Sequence, residues 1–314
     1  MSAESDLAAG AGPLRVAPPA KINFGLRLVG RRPDGYHELE SVFLPLDLAD
    51  DLCLDLLPDA PPRVHLAVEH DAGTPGEAVP GDDRNLAAQA ARGFLAGAGL
   101  AIGVAIRLTK RIPAAAGLGG GSSDAGAVLR ALAGAFPGAL SADALARLAL
   151  RLGADVPFFL DPRPALVTGI GERVEPLGRW PALALALVNP GVPLATAEVY
   201  RAADALLPAL TPPDSASTLR ARLDIAGSVA PDRPDALAPL LQNDLEPAAV
   251  RLCPPVARLR ERLREAGARA VGMSGSGPTV FGVFPGVAEA RTALERMRLE
   301  PPVWARVAVA GKAG

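Results

Sequence analysis

The feature that most constrains this chain is a glycine-rich segment set between a strand pattern and a helix pattern. Apolar residues alternate along residues 102–108, which predicts a half-buried strand. The segment Gly117-Leu-Gly-Gly-Gly-Ser-Ser-Asp124 follows, and the alanine-rich stretch Ala125 to Ala133 then predicts a helix. A glycine-rich turn is therefore predicted between the strand and the helix, directly before the N-terminus of the helix.

Such a loop is suited to phosphate. Glycines let the backbone approach a ligand and turn several N–H groups inward, and a helix N-terminus adds free donors and a partial positive charge. Ser122 and Ser123 could cap the helix and offer hydroxyls to phosphate or Mg²⁺. The loop lacks the Gly-Lys-Ser/Thr of a Walker A motif, and Ser122 replaces the third glycine of the dinucleotide fingerprint. A surface turn without a ligand is the alternative, but the setting favours phosphate binding.

Composition bounds the kind of protein. A chain of 314 residues can form one large domain, or two domains with a core each, which we favour. The shares of 49% hydrophobic and 21% charged residues are typical of globular proteins. A formal charge of −2 and a pI near 6.0 give no basic field that would favour nucleic acid. No uncharged apolar run reaches the length of about 20 residues that spans a membrane.

The two cysteines and the N-terminus bear on location. Cys53 and Cys253 lie far apart with no neighbouring cysteine or histidine cluster. This spacing supports neither a disulfide framework nor a zinc site, and it fits a reducing cytoplasm. Residues 1–13 lack a cationic start followed by an apolar run, so we interpret them as a short loose tail and expect no signal peptide.

The polar, proline-rich stretch Pro208 to Thr218 is interpreted as a linker.

Two charged residues are candidates for catalysis. Lys21 opens the polar face of an alternating strand over residues 22–28. Asp155 follows a helix predicted over residues 141–152, with Ser141 as its N-cap. A surface lysine and a turn aspartate are the ordinary interpretations. However, phosphoryl transfer to a hydroxyl needs a carboxylate near the proton and a cation near the developing charge. The sequence alone does not bring the two side chains together.

Aromatic residues and a second glycine loop are further candidates. The turn Arg32-Pro-Asp-Gly35 precedes Tyr36 and His37, and Tyr200 is the second of only two tyrosines. A hydrogen-bonded structural histidine and half-buried tyrosines are the ordinary interpretations. The Gly-Ser loop of residues 274–277, which precedes a predicted strand over residues 280–284, is either a simple turn or a source of N–H groups for a substrate phosphate.

At these residues the sequence resembles a known family. Pro113-Ala-Ala-Ala-Gly117-Leu-Gly-Gly-Gly-Ser-Ser-Asp124 is similar to the phosphate loop of the GHMP kinases, which include galactokinase and the homoserine and mevalonate kinases. Other segments resemble one branch of that superfamily, the ATP-dependent kinases of the non-mevalonate isoprenoid pathway: Ala20-Lys-Ile-Asn-Phe24, Arg32-Pro-Asp-Gly-Tyr-His-Glu38, Leu152-Gly-Ala-Asp-Val-Pro-Phe-Phe159, Asn189-Pro-Gly-Val192 and Met273-Ser-Gly-Ser-Gly-Pro278. The likeness extends from about Val16 to beyond Phe284 in the same order.

The resemblance implies a fold and an activity. It implies an α/β (α+β) protein of two domains, an N-terminal ATP-binding domain over residues 1–177 and a C-terminal domain over residues 178–314. The active site would lie in the cleft between them. The implied reaction transfers the γ-phosphoryl group of ATP to the 2-hydroxyl of a small cytidine-diphosphate-linked alcohol in the cytoplasm, with Mg²⁺ expected. Neither nucleic acid nor a membrane is an expected partner, and the sequence indicates no oligomeric state.

The resemblance also implies roles for individual residues. Asp155 matches the catalytic aspartate, Lys21 its lysine partner, and Asn23 a neighbour facing the substrate. The ATP phosphate loop corresponds to Pro113, Ala114, Ala115, Ala116, Gly117, Leu118, Gly119, Gly120, Gly121, Ser122 and Ser123. Asn85 and Lys110 match positions near the base of ATP. The residues implied for the cytidyl substrate are Tyr36, His37, Tyr200, Ser274 and Gly275.

Three points stay open at this level. Asp124 stands where many relatives carry Asn, which adds a negative charge near phosphate. No set of protein metal ligands is predicted, although Ser122 and Ser123 are candidates for Mg²⁺. Another GHMP kinase acting on a different alcohol and an inactive nucleotide-binding regulator remain alternatives. The presence of Lys21 together with Asp155 argues against the regulator.

Overall fold

The computed structural model describes residues 12–74, 79–178, 180–206, 219 and 240–311. The predicted linker of residues 208–218 lies outside the described residues, and so does the predicted N-terminal tail except for residues 12 and 13. Within the described ranges, no helix is long and apolar enough to cross a membrane.

Among the described residues, five strands come first, and helices and strands are interspersed after them. The strands are β1 (Leu14–Val16), β2 (Pro19–Arg31), β3 (His37–Ala49), β4 (Asp51–Leu57), β5 (Val64–His70), β6 (Gly103–Lys110), β7 (Ala165–Gly169), β8 (Arg173–Pro176), β9 (Leu183–Asn189), β10 (Ala270–Met273), β11 (Val280–Phe284) and β12 (Trp304–Ala310). The helices are α1 (Leu86–Ala98), α2 (Gly120–Ala135), α3 (Ala142–Leu152), α4 (Thr196–Leu206), α5 (Glu246–Leu252), α6 (Pro255–Glu265) and α7 (Val287–Met297), and a 3₁₀ turn covers Pro157–Leu160.

Four strands form a small sheet in the order β1-β4-β6-β5, with β5 parallel to β6 and the other pairs antiparallel. Helices α1, α2 and α3 pack on one face of it through buried side chains that include Phe94, Ile106 and Leu129. The strand predicted over residues 102–108 is confirmed as β6, since its alternate residues enter this core. This sheet therefore carries the strand and the helix that flank the glycine loop.

The large sheet has the order β10-β11-β9-β12-β3-β7-β8, with β2 also paired to β3. Strand β3 pairs with β2 along one edge. Along its other edge, residues 39–43 pair with β7 and Leu46 pairs with Ala310 of β12. Strand β9 is buried along its whole length. Alternate β9 residues pack in a core with β2 and β3, and the others pack beneath helices α4 to α7.

One core draws on both halves of the chain. Ile22, Phe24 and Leu44 from β2 and β3 pack with Leu185 and Phe281 from β9 and β11. The boundary predicted at residues 177 and 178 falls between β8 and β9, so it separates two segments that share this core. The sheets thereby hold β2, the glycine loop and the later Gly-Ser loop next to one another.

Candidate active site

A cavity of about 370 Å³ opens where β2, the glycine loop and the Gly-Ser loop meet. Most of the side chains and loops predicted for the site contribute to its wall. They are Lys21, Asn23, Lys110, Pro113, Ala114, Ala115, Ala116, Gly117, Gly119, Gly120, Gly121, Ser122, Asp155, Tyr200 and Gly275. The tertiary structure thus brings together residues from five separate segments of the sequence.

The helix after the glycine loop begins earlier than the sequence predicts. Helix α2 starts at Gly120, and Gly119 is its N-cap with φ 72° and no side-chain cap. The interpretation of Ser122 and Ser123 as caps is therefore wrong, because both lie inside the first turn. The N–H of Ser123 donates to Gly119 O at 2.9 Å, so the preceding N–H groups lack intrahelical acceptors. Those donors lie at the cavity, where an anion would satisfy them.

Two glycines of this loop cannot be replaced without displacing neighbours. A Cβ on Gly117, at φ 74°, would lie 2.3 Å from the carbonyl oxygen of Ser274. A Cβ on Gly119 would lie 3.0 Å from Lys21 Cγ and 3.0 Å from Phe159 Cζ. Positive φ is also the region that side chains disfavour. Glycine is thus required both by the turn and by the close approach of β2 and the Gly-Ser loop.

Lys21 and Asp155 form an ion pair at the cavity. Lys21 Nζ lies 3.3 Å from Asp155 Oδ2, and the lysine side chain is 4% exposed whereas the aspartate is 32% exposed. Lys21 also donates to Asn23 Oδ1 at 2.5 Å and lies 4.5 Å from the centroid of the Phe43 ring. The ammonium is thus fixed within the protein, while the carboxylate reaches the cavity.

Short backbone connections set the positions of this pair. The N–H of Lys21 donates to Leu118 O at 2.9 Å, which fixes β2 against the glycine loop. Asp155 lies in the turn after α3, and that turn is closed by the N–H of Val156 donating to Gly153 O at 3.1 Å. Ser141 caps α3 through the N–H of Ala144, as the sequence predicts. The end of α3 therefore aims Asp155 at the loop.

The Gly-Ser loop is fastened to the same region by side-chain hydrogen bonds. Ser274 Oγ accepts from the N–H of Asn23 at 3.1 Å and donates to Gly117 O at 2.8 Å. Asn243 Nδ2 donates to the carbonyls of Met273 at 2.9 Å and Gly275 at 2.8 Å. Ser274 and Gly275 thus belong to the site, with the Ser274 hydroxyl engaged in holding the two loops together.

Several residues of the site lie outside every sequence motif. Asn243 positions the Gly-Ser loop, and Ser41 Oγ accepts from Asn23 Nδ2 at 2.8 Å. Thr196 lines the cavity, and its hydroxyl oxygen lies 2.9 Å from that of Ser276 in the Gly-Ser loop. No local pattern marks Asn243, Ser41 or Thr196, because each acts through a partner that is distant in the sequence.

Lys110 is held by two carboxylates beneath the glycine loop. It donates to Asp50 and, at 2.6 Å, to Asp124 Oδ2. Asp50 Oδ1 accepts from the N–H groups of Arg111 at 2.6 Å and Ile112 at 2.8 Å. Burial lowers the pKa of Lys110, but the two carboxylates outweigh it and raise the pKa above the ordinary value. The three side chains join the end of β6 to helix α2.

Asp124, the residue that departs from its relatives, has a clear partner here. It is 1% exposed, and its Oδ1 is buried without a hydrogen-bond partner. Burial raises the pKa of Asp124 to about 8, against the lowering effect of Lys110 and with a further rise from Asp50. A neutral Asp124 would add little negative charge to the phosphate loop at neutral pH.

Asn85 is not among the residues of the cavity wall. Its Oδ1 accepts from the N–H of Ala87 at 2.9 Å, which caps α1, and its Nδ2 donates to Pro80 O at 2.8 Å. The neighbouring side chains of Val79 and Leu86 do line the cavity. A direct contact of Asn85 with the base of ATP therefore stays a prediction.

The aromatic candidates divide into a buried pair and an exposed ring. The His37 and Tyr200 ring centroids lie 5.2 Å apart with an interplanar angle of 35°, and Tyr200 lines the cavity. Burial, and then the charge of Asp155, raise the pKa of Tyr200 above its ordinary value, so its hydroxyl stays neutral. Tyr36 is 60% exposed and does not line the cavity.

The site fits a magnesium ion that reaches it with phosphate. Within the described part of the chain, no cluster of three or more His, Cys, Asp or Glu side chains could hold a metal. Mg²⁺ in nucleotide sites takes one or two protein ligands, with phosphates and water supplying the rest. Ser122 lines the cavity, and Ser123 Oγ is buried without a partner. Ser122 and Asp155 supply side-chain oxygens to the cavity wall.

Comparisons with known proteins agree with this geometry. The family model described as GHMP kinases N terminal domain matches residues 85–161, and that described as GHMP kinases C terminal matches residues 230–302. A 4-diphosphocytidyl-2-C-methyl-D-erythritol kinase of Pelotomaculum thermopropionicum is 43% identical over 279 residues, 89% of this chain and 92% of that protein.

Two more relatives carry the same description. The 4-diphosphocytidyl-2-C-methyl-D-erythritol kinase of Citrifermentans bemidjiense is 40% identical over 280 residues, 89% of this chain and 92% of that protein. A crystal structure of 4-(cytidine 5'-diphospho)-2C-methyl-D-erythritol kinase is 39% identical, with a TM-score of 0.73 and coverage of 95% of this chain and 100% of that chain. The likeness therefore covers both sheets and the cavity between the loops.

Proposed function

The chain belongs to the 4-diphosphocytidyl-2-C-methyl-D-erythritol kinase family of the GHMP kinases, and we propose that its cavity is the site where the γ-phosphoryl group of ATP passes to the 2-hydroxyl group of 4-diphosphocytidyl-2-C-methyl-D-erythritol. The protein is a phosphotransferase with an alcohol acceptor, and its reaction belongs to the non-mevalonate isoprenoid pathway. The observation that carries the site is the ion pair of Lys21 with Asp155 beside the free N–H groups of the glycine loop.

The acceptor hydroxyl would be activated by Asp155. Its carboxylate reaches the cavity, so it can accept the hydroxyl proton, or orient it if the transition state is loose. The Lys21 ammonium pairs with that carboxylate at 3.3 Å and lies near the charge that develops on the transferred group. Asn23 holds the ammonium in place from the side of β2.

The donor phosphates would lie against the glycine loop. The N–H groups at the start of α2 and the helix dipole stabilise phosphate oxygens. Mg²⁺, which we include in the proposal with Ser122 or Ser123 as its protein ligand, would neutralise the β- and γ-phosphates. Lys110, held by its two carboxylates, supports the loop from below.

The cytidine base would bind near His37 and Tyr200. The Tyr200 ring lines the cavity and can stack on a flat base, while the exposed Tyr36 can cover the opposite face. His37 lies next to Tyr200, where a ring nitrogen can meet the edge of the base. Ser274 and Gly275 belong to the loop nearest the diphosphate in this proposal. Both cysteines are free and buried, which is compatible with the cytoplasmic location that we include.

A coupled ATPase assay tests the proposal. The purified protein is given ATP and Mg²⁺ with the cytidyl substrate, mevalonate or homoserine, and ADP release is followed. We expect turnover with the cytidyl substrate only, and we expect Asp155→Asn to abolish most of it while ATP binding persists. Turnover of mevalonate or homoserine instead would point to another GHMP kinase. ATP binding without turnover of any of the three would support an inactive regulator.

A further inference from the structure

Ser41, on strand β3, lies behind the site and belongs to none of the sequence motifs. Its side chain is completely buried, and it does not line the cavity. Its hydroxyl lies between two polar groups of β2, because it donates to Gly25 O at 2.6 Å and accepts from Asn23 Nδ2 at 2.8 Å. Such a hydroxyl either only ties two strands together or sets the arrangement of the groups beyond it.

A bulge in β2 makes this contact possible. The pairing of β2 with β3 shifts in register between Asn23 and Leu26, and Gly25 has no partner residue on β3. Gly25 has a φ of 91°, and a Cβ there would lie 2.0 Å from Leu240 O, so only glycine fits this position. Gly25 thus departs from the regular ladder, and its carbonyl accepts the hydroxyl hydrogen of Ser41.

The direction of these hydrogen bonds fixes the orientation of the Asn23 amide. A serine hydroxyl has one hydrogen, and Gly25 O, which can only accept, takes it. The Ser41 oxygen can then only accept, so it must face the NH₂ end of Asn23. The carbonyl end, Oδ1, is thereby directed at Lys21 Nζ, which donates to it at 2.5 Å. A reversed amide would set two acceptors against each other at Ser41 and two donors against each other at Lys21.

The Lys21 ammonium is held on three sides as a result. Asn23 Oδ1 accepts from it, Asp155 Oδ2 lies 3.3 Å away, and the centroid of the Phe43 ring lies 4.5 Å away. The lysine side chain is 4% exposed, so water would not readily replace a lost acceptor. The position of the ammonium therefore depends on the amide, and the orientation of the amide depends on Ser41.

We propose that Ser41 is a positioning residue for phosphoryl transfer, which fixes the Asn23 amide and thereby holds the Lys21 ammonium in its place beside Asp155. This inference rests on the proposed function. Charge on the transferred group develops in the transition state, so a displaced ammonium lowers kcat more than it raises KM. Ser41 thus controls the rate although its hydroxyl does not reach the cavity.

Thr279 provides a matched control. Its Oγ1 accepts from Asn189 Nδ2 at 2.9 Å, and its side chain is completely buried. This pair resembles Ser41 with Asn23 in chemistry and burial, but neither of its residues lines the cavity. Thr279→Val therefore takes a buried hydroxyl away from a buried asparagine and leaves the contacts of Lys21 in place.

The kinetic test compares wild type with five variants, each given ATP, Mg²⁺ and the cytidyl substrate: Ser41→Ala, Ser41→Cys, Asn23→Ala, the double variant Ser41→Ala/Asn23→Ala, and Thr279→Val. We expect Ser41→Ala to lower kcat by about 10- to 100-fold and to leave KM for ATP nearly unchanged. Ser41→Cys, whose thiol is a weak donor and acceptor, should lie between wild type and Ser41→Ala. Because Ser41 acts through Asn23, the double variant should be no slower than Asn23→Ala. Thr279→Val should keep the wild-type kcat.

The lysine ammonium groups give a second readout that does not need activity. The chain has only three lysines, at positions 21, 110 and 312, so the ¹⁵Nζ signal of Lys21 can be assigned by comparison with Lys21→Met. A buried and hydrogen-bonded ammonium exchanges its hydrogens with water slowly, so we expect an observable Lys21 signal in wild type and in Thr279→Val. In Ser41→Ala that signal should shift or broaden, while the signal of Lys110 should not change.

The outcomes separate this inference from the proposed function. A folded wild type that does not phosphorylate the cytidyl substrate would overturn the proposed function and, with it, the role of Ser41 in the reaction. If wild type does phosphorylate it, but Ser41→Ala keeps the wild-type kcat and Lys21 signal, the role of Ser41 alone is wrong. An equal loss of kcat in Thr279→Val, or a loss fully additive with that of Asn23→Ala, would also overturn it. If Ser41→Ala does not fold, Ser41→Cys decides by the same comparison.

Discussion

At the scale of single residues, the proposed chemistry of the cavity rests on the pairing of Lys21 with Asp155. The lysine is almost fully buried, so its charge is screened little by water, and the aspartate is its anionic partner. Two such groups act as a unit, because each fixes the position of the other and the loss of one therefore impairs its partner. Their losses of rate should therefore not add.

The first prediction tests this unit with a double-mutant cycle. Asp155→Asn and Lys21→Met should each lower kcat by about 10²–10⁴-fold, and the double variant should be little worse than the poorer single variant. Steady-state assays at saturating ATP give the ratio of wild-type kcat to the kcat of each single variant and of the double variant. Thermal unfolding checks that each variant folds. Two small and fully additive losses would contradict a shared role.

The second prediction concerns the buried carboxyl of Asp124. The unfolded chain releases its proton near the ordinary pKa of 3.8, whereas the folded protein holds it to about pH 8. Between these values the folded state binds more protons, so the free energy of unfolding falls as pH rises, by up to about 1.4 kcal/mol per pH unit. Lys110 has a raised pKa, and its stabilising contribution is lost only at still higher pH.

Asp124→Asn should remove this fall of the free energy of unfolding with rising pH. Urea unfolding between about pH 5 and about pH 8 should show a flatter dependence of the free energy of unfolding than wild type. Asp143→Asn is the matched control, since Asp143 is an exposed aspartate in the first turn of α3 and should leave the slope unchanged. Equal slopes in wild type and Asp124→Asn would show that Asp124 is ionised throughout this range.

At the scale of elements, the early start of α2 leaves the N–H groups that we propose bind phosphate at the end of the glycine loop. The alanine-rich run after Asp124 predicts a helix, but the structure extends it back to Gly120 through glycines and serines of low helix propensity. Contacts of β2 and the Gly-Ser loop with this segment override the propensity. The first turn is thus shaped by tertiary packing, and its free N–H groups face the cavity.

The third prediction compares two glycines that belong to the same helix. A methyl at Gly119 would crowd Lys21 and Phe159 at a positive φ, so Gly119→Ala should cost about 1–3 kcal/mol of stability and weaken ATP binding about tenfold or more. Gly134 has nothing within 4 Å of a Cβ, so Gly134→Ala should gain about 0.5–1 kcal/mol and leave ATP affinity unchanged. Calorimetric titration of ATP and urea unfolding measure both effects. Unchanged ATP affinity in a folded Gly119→Ala would remove this turn from the phosphate site.

At the scale of the whole molecule, the two sequence segments are joined by a shared core. The Phe24 ring stacks on Phe281 with centroids 6.1 Å apart and meets Trp180 edge-on at 5.9 Å. These contacts link β2 to strands beyond residue 178. The division into domains at residues 177 and 178 stays a prediction, and the packing leads us to expect that the segments unfold together.

The fourth prediction follows from that core. Phe24→Ala should lower the free energy of unfolding of the entire chain by about 3–5 kcal/mol. Urea transitions followed by tryptophan fluorescence, from Trp180 and Trp304, and by far-UV circular dichroism should coincide in wild type and in the variant. Two separate transitions, only one of which moves in Phe24→Ala, would instead support two domains that unfold independently.

Local patterns in the sequence are enough to predict several of the strands and helices. The alternation that predicts β6, the cap at Ser141 and the strand β11 over residues 280–284 were all confirmed, because each depends on neighbours a few positions away. The glycine loop likewise carries its phosphate chemistry in consecutive residues. The motifs around Lys21 and Asp155 sufficed to indicate the GHMP kinases, which the relatives confirm.

Only the tertiary structure decided which of these residues meet. Lys21 reaches Asp155, Ser274 reaches Gly117, and Lys110 reaches both Asp50 and Asp124 across elements that the sequence does not place together. The contact of Asp204 with His37 likewise depends on how α4 packs beside β3. A single sequence specifies the neighbours within a strand or helix directly, but contacts between distant segments arise only when the sheets form and bury their shared core.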